Sequence, residues 1–383
     1  MSDKKRTFLI NAITIREGGG AVVFFRTLNE MVLLDSSIYW IVIIDEVLRN
    51  KIKKHERVTL ISYPWVKKSA FHLLYWNEFY LHRLVKNKKV DCVFSTVNTL
   101  PFRKMPCPTF LSQLHAGYFS KEFIALNAKC NPGFRNWIGW EVRKQWVFSS
   151  IKKATQISAP TQALADDIVN QLKINLDKIT VIHPGTGLAD GKIAPRTHWA
   201  KNAWRIGYIT KYGVQKNFEV LFKAVSELKK QVNIKLILTL NTQHASFQHI
   251  DVLIKKYHLD NVIENHGEIE KDQIQALYST LNLFVFPSLC ESIGFTLMEA
   301  MHYGLPIIAA NTRSNREFLG DNGVYFYRHD SSALKDKIIL VMNEIELYKE
   351  LSHNSVIRAQ LFSWKTAAEQ TLQSLRELTC SIN

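Results

Sequence analysis

Residues 287–311 read PSLCESIGFTLMEAMHYGLPIIAAN, placing two glutamates, Glu291 and Glu299, eight positions apart across Gly294. The run LFVFP before them reads as a strand that ends at Pro287, and FTLMEAMHY reads as a helix, so SLCESIG is the turn between the two. In a parallel sheet that turn lies over the carboxyl edge, and the N–H groups of the helix's first turn have no partner within the helix. They carry the positive end of its dipole and make a seat for a diphosphate. Glu291 falls in the loop and Glu299 one to two turns into the helix. Carboxylates repel a diphosphate, but they accept hydrogen bonds from vicinal hydroxyls, which points to a ligand that is both phosphorylated and rich in hydroxyls. Spacing alone would make the pair an ordinary solvated helix face; its place at a strand end is what suggests chemistry.

The elements that must hold this turn repeat a β-α pattern along the chain. Strands are predicted at RTFLINAIT, IYWIVIID, RVTLIS, VDCVFST, PTFLSQL, ATQISAP and KITVIHP. Helices are predicted at GGGAVVFFRTLNEMVLL, KKSAFHLLYWNEFYLHRLVKNKK, from about Asn136 to Lys153, and at TQALADDIVNQL. The polar, Gly- and Pro-rich GTGLADGKIAPRTH then marks a linker, after which the alternation restarts at WRIGYIT and runs to LPIIAA and two closing helices. Strands alternating with helices imply parallel sheets covered on both faces, here twice. The expected domains are 1–190 and 198–360, α/β and Rossmann-like, with ligands bound at the strand ends between them.

Composition excludes several classes. The chain of 383 residues is 46% hydrophobic and 22% charged, which is globular rather than disordered, and long enough for two cores. No apolar run reaches membrane-spanning length and MSDKKRTFLINAITI lacks a signal-peptide pattern, so a cytosolic protein is expected. Cys92, Cys107, Cys130, Cys290 and Cys380 are odd in number and form no CxxC, which predicts reduced thiols and no structural zinc. The formal charge of +15 is uneven: up to residue 190 there are 27 Lys and Arg against 15 Asp and Glu, and beyond it 22 against 19. A basic first half predicts an anionic partner, whether nucleic acid, lipid or phosphorylated substrate. No nucleic-acid module is recognisable.

PSLCESIGFTLMEAMHYGLPIIA resembles the E-x7-E signature of the retaining glycosyltransferases of family 4. That resemblance implies the GT-B fold, two Rossmann-like domains facing across a cleft, with a C-terminal helix (361–383) crossing back to the first domain. It implies a nucleoside-diphosphate sugar as co-substrate, no cofactor and no metal. Carried over, Glu291 lies by the donor sugar, Glu299 holds the ribose, and the amides of Ile293, Gly294, Phe295 and Thr296 grip donor and diphosphate. GGGAVVFFRTL is similar to the family's glycine loop near the donor phosphates, giving Gly18, Gly19 and Gly20; TFLSQLHAGYF resembles the strand that ends in a His facing the sugar, giving His115; IGYITKYGVQKNFEVLFKAV resembles the phosphate-binding segment, giving Lys216. The family's Arg after the glycine is Tyr208 here, and Lys211 is the candidate replacement. Asp45 and His183 are read as structural.

The helix FRNWIGWEVRKQWVFSSIKK mixes Trp137, Trp140 and Trp146 with Arg143 and Lys144, and the earlier helix adds Phe71, Tyr75, Trp76, Phe79 and Tyr80. Aromatics beside basic residues predict a helix lying on an anionic bilayer, against the plain alternative of a core helix with a basic wet side. The expectation is a hexosyltransferase, first a mannosyltransferase using GDP-mannose, acting on a lipid-linked (polyprenyl diphosphate) or oligosaccharide acceptor in cell-surface polysaccharide assembly, on the cytosolic face of the membrane. A UDP-sugar transferase of the same fold, a nucleotide-sugar epimerase, and a non-catalytic membrane or nucleic-acid binding protein are the alternatives.

Overall fold

In the computed structural model, residues 6–187, 194–196, 199 and 203–380 are described, so most of the predicted linker at 185–198 lies outside the described residues. The chain divides into two units. The first comprises Met1–Phe119, Asn131–Gly185 and Ser363–Asn383, the second Ser120–Cys130 and Thr186–Phe362.

In the first unit, β1 (Arg6–Ala12), β2 (Ile38–Ile44), β3 (Val58–Ser62), β4 (Cys92–Ser95), β5 (Thr109–Ser112), β6 (Gln156–Ala159) and β7 (Ile179–Val181) form one sheet in the order β3-β2-β1-β4-β5-β6-β7. Every pairing is parallel, Phe8 lying opposite Trp40 on one side and Cys92 on the other. The alternation read from sequence thus gives the expected fold class. Strands buried on both faces are continuously apolar, as FLI and IVII show. On one face Phe8, Ile10, Trp40 and Val42 pack with Phe24 and Leu28 of the helix Gly18–Leu34 and with Ala368, Leu372 and Leu375 of the terminal helix Trp364–Cys380. On the other, Leu9, Ile43 and Val93 meet Trp76, Leu81 and Val85. These three residues come from a helical run that starts at Ala70–Tyr75, widens to a π turn at Trp76–Tyr80 and ends at Leu81–Asn87. The widened turn is the kind of local defect a periodicity reading does not see.

In the second unit, β8 (Trp204–Tyr208), β9 (Ile234–Leu238), β10 (Ile263–Asn265), β11 (Leu283–Phe286), β12 (Ile307–Ala310) and β13 (Val324–Phe326) are again all parallel, ordered β10-β9-β8-β11-β12-β13. The chain order reverses between β8 and β11, and such a switch point opens a crevice at the strand ends. Strand β13 and the helix Arg313–Leu319 were not anticipated from the sequence.

Residues 120–130 depart from the sequence reading, which kept all of 1–190 together. The helix Lys121–Cys130 packs instead on the Val214–Lys216 turn of the second unit, and Glu122 faces His329 (2.8 Å) and Arg328 (3.6 Å) there. None of its side chains is fully buried. A helix with so little to bury is held where its charge finds partners.

Candidate active site

The switch point of the second unit is where Lys216 and Glu291 meet. Lys216 follows β8 and Glu291 follows β11; because these strands are neighbours, residues far apart in sequence leave the same sheet edge side by side. Lys216 Nζ lies 2.6 Å from Glu291 Oε1, and the two side chains are only 15% and 13% exposed. The ammonium also stands 6.0 Å from the Phe286 ring centroid. Hydrogen bonds stitch the two loops together. The Tyr208 hydroxyl, at the end of β8, donates to Lys216 O (3.0 Å) and pairs with Ser288 Oγ (3.0 Å). Leu289 N–H donates to Gln215 O (2.9 Å), and Asn217 Nδ2 donates to Pro287 O (3.2 Å) and Arg328 O (2.8 Å). Burial pushes the Tyr208 phenol far above its ordinary pKa, so it stays a donor. The tyrosine that stands where the family has an arginine is therefore a brace for the lysine loop. Its role, with those of Ser288 and Asn217, had no signal in the sequence beyond position.

Gly294 turns the chain into the helix Phe295–His302 with φ +70°, a left-handed conformation that a side chain would strain. The amides of Phe295 and Thr296 open the helix, and Gly294 O already accepts from Leu297 and Met298. Ile293 is buried beside them. Glu299 is 5% exposed, its Oε2 accepting from the Tyr278 hydroxyl at 3.1 Å. Burial, with the Glu299 carboxylate beside it, pushes the Tyr278 phenol well up. Oε1 closes on Gly187, where a Cβ would sit 2.4 Å away, so that backbone approaches the acid as only glycine can. Both acids of the signature thus point inward. Lys211 is separate: it pairs with Glu268 at 3.1 Å, and both side chains are more than half exposed.

The remaining candidates belong to the first unit and are described within it. His115 follows β5, and its Nδ1 accepts from Gly117 N–H at 3.1 Å. Its ring lies 4.5 Å from that of Tyr118, which stacks on Trp140 at 4.8 Å. Burial raises the Tyr118 phenol pKa, opposed by a hydrogen bond from Arg143. Trp140, half-buried, and Arg143, exposed, thus adjoin the His115 cluster. Trp146 turns inward, donating to Leu100 O (2.7 Å) and stacking on Phe102. Lys144 pairs with Glu141 at 2.7 Å. Of the three tryptophans on the helix Phe134–Lys153, Trp137 alone is largely exposed, at 59%. Gly18, Gly19 and Gly20 start the helix Gly18–Leu34; a Cβ on Gly18 or Gly20 would meet nothing within 4 Å. Of the two residues read as structural, His183 is bonded to Pro160 O at 2.9 Å, while buried Asp45 carries two cations, Arg16 and Lys67. Among the described residues no disulfide joins the cysteines. Among the described residues no group of three or more His, Cys, Asp or Glu side chains is placed to hold a metal, and no helix is long and apolar enough to cross a membrane.

Comparison with known proteins places the fold. Over 241 residues the chain is 25% identical to the serotype-specific mannosyltransferase WbdA of Escherichia coli; the match takes in 60% of this chain but only 30% of that protein's length. Among solved structures, a sucrose-phosphate synthase from Thermosynechococcus elongatus superposes with a TM-score of 0.77 at 16% identity, covering 98% of this chain and 100% of the other. Anabaena Alr3699/HepE, solved with UDP and glucose, superposes at 0.70 and 16% identity, covering 97% and 100%. Residues 18–189 match the family model described as Glycosyltransferase Family 4 and residues 191–356 the one described as Glycosyl transferases group 1, and the chain belongs to these glycosyltransferases, of the GT-B fold.

Proposed function

We propose that the chain transfers a hexose, with retention at the anomeric carbon, from a nucleoside-diphosphate sugar to a hydroxyl of a lipid-linked saccharide in cell-surface polysaccharide assembly. The observation that carries the donor half is Lys216 held on Glu291 beside the start of the helix Phe295–His302. The leaving diphosphate gains negative charge as the glycosidic bond breaks. A fixed ammonium and the positive end of the helix stabilise that charge without reorganising, and Glu291 holds the ammonium in place before the donor arrives. Glu291 and the buried Glu299 then supply acceptors for sugar and ribose hydroxyls. Mannose from GDP-mannose is the leading donor, supported by the name of the Escherichia coli relative. A UDP-hexose is the second reading, supported by the neighbour solved with UDP and glucose.

A thermal-shift panel of GDP-, UDP-, ADP- and dTDP-sugars tests the donor class. A ligand at a hundred times its dissociation constant stabilises by about 2.7 kcal/mol, so one base should raise Tm by several degrees, equally with and without EDTA. No response from any base contradicts the proposal, and a response abolished by EDTA contradicts its metal independence.

For the acceptor half, the proposal places a peripheral membrane contact on the first unit. Phe71, Tyr75 and Phe79 on one helical run, Phe102, and Phe134 and Trp137 on another are 46–73% exposed. Glu78 accepts from the N–H groups of Phe102 and Arg103, and Phe102 stacks on Trp146, which ties the two helices together through the 102–103 loop. Aromatic side chains beside lysines and arginines suit the headgroup region of an anionic bilayer.

A further inference from the structure

The helix Lys121–Cys130 packs on the Val214–Lys216 turn of the second unit, yet none of its side chains is fully buried, and Phe123, Ile124 and Leu126 are only half-buried. Apolar burial alone holds so short a helix weakly. Its fixed point is Glu122, whose side chain is 22% exposed and meets two consecutive residues that follow β13. Oε1 lies 2.8 Å from His329 Nε2, and Oε2 lies 3.6 Å from Arg328 Nε, a buried atom that makes no hydrogen bond among the described residues. The Glu122 carboxylate is thus what offsets the arginine's charge; the nearby acid Asp330 accepts instead from Ala333 N–H at the start of the next helix. An exposed ion pair contributes little, but taking the acid away from a buried cation leaves that charge unopposed.

The same two residues lead to the lysine of the donor site. Arg328 O accepts from Asn217 Nδ2 at 2.8 Å, and the same amide donates to Pro287 O (3.2 Å), where the Glu291 loop begins. Asn217 directly follows Lys216 and holds φ at +55°, a left-handed conformation that asparagine tolerates better than most residues. The turn is closed by Lys216 N–H donating to Gly213 O (3.0 Å) and tied to the Glu291 loop by Leu289 N–H donating to Gln215 O (2.9 Å). Contacts therefore run from Glu122 through Arg328 and Asn217 to Lys216, all within the second unit.

We propose that Glu122 is a positioning residue for the donor diphosphate: through the 328–329 segment and Asn217 it fixes the loop from which Lys216 reaches the phosphates, and the helix Lys121–Cys130 is the clamp that carries it. This rests on the donor reading above, in which Lys216 touches the ligand and Glu122 does not.

Two readouts on the full chain test it. In hydrogen exchange of the ligand-free protein, Glu122→Gln should speed exchange of the Lys216 and Leu289 amides about fivefold or more and leave β8 and β11 unchanged. Asn217→Ala, which cuts the chain of contacts at its other end, should loosen the same two amides. In calorimetric titrations of GDP and of UDP, Glu122→Gln should weaken whichever nucleotide binds the wild type about fivefold, yet less than about twofold in a Lys216→Ala background, the non-additivity of residues that act through one another. Either readout unchanged by Glu122→Gln, in a protein that binds nucleotide, overturns the proposal. Equal weakening with and without Lys216 overturns the positioning role, because Glu122 then acts by another route; faster exchange spread through both strands does the same, as the mark of general destabilisation. A wild type that binds neither nucleotide, with the two amides still dependent on Glu122, overturns the donor reading and leaves the clamp on the loop standing.

Discussion

At the scale of single residues, the account depends on which charges find each other. Glu291 and Glu299 were legible because a strand ending in proline, a glycine turn and a helix place any acid there at a sheet edge. Their pairings were not. Lys216 reaches Glu291 across 75 positions, and only the adjacency of β8 and β11 brings them together. The same limit explains Lys211, whose partner Glu268 is a tertiary neighbour that no local pattern announces. Asp45 was read as structural, and only the convergence of three strand ends reveals the two cations it carries.

At the scale of elements, hydrophobic periodicity located nearly every strand and most helices, because continuous apolar strands and one-sided helices have distinct periods. Periodicity told less about which side of an aromatic helix is wet. Val147 and Ile151 are core, Trp140 and Arg143 adjoin the His115 cluster, and Phe134, Trp137, Ile138 and Val142 are exposed. Four exposed positions spaced three and four apart form one stripe along the helix. On vesicles of phosphatidylglycerol and phosphatidylcholine, the protein should cosediment in low salt. Phe79→Ser with Trp137→Ser should release most of it while leaving the thermal unfolding midpoint within a few degrees. Cosedimentation unchanged by these substitutions would remove this face from the membrane contact. The helix Lys121–Cys130 was missed as well, and although it carries Phe123, Ile124 and Leu126 none of its side chains is fully buried.

At the scale of the whole molecule, two parallel sheets and a basic first half follow from the sequence, whereas the tie between the chain's last helix and the first unit lies in specific contacts. Asp35 caps the helix Gly18–Leu34 and accepts from Ser37 N–H (2.8 Å), Ser37 Oγ (2.6 Å) and Arg376 of the terminal helix (2.5 Å). Burial alone would raise its pKa, but Ser37 and Arg376 together hold it below the ordinary value of 3.8. A carboxylate with a depressed folded pKa contributes stability that is present above its unfolded pKa, near 4, and lost as pH falls through the folded value. Asp35→Asn should therefore cost about 1–2 kcal/mol at pH 7 and less near pH 2, read from urea unfolding at the two pH values; an equal cost at both would show that the charge does not matter.

The central claim is that Lys216, braced by Glu291 at the switch point of the second sheet, grips the diphosphate of an activated sugar. Calorimetric titration of the nucleoside diphosphate selected by the thermal-shift panel into the wild type and Lys216→Ala tests it most directly. The account predicts saturable binding by the wild type and at least a roughly tenfold weaker dissociation constant for the variant, as expected for loss of a charge-assisted contact. Equal affinity in the two proteins would contradict it.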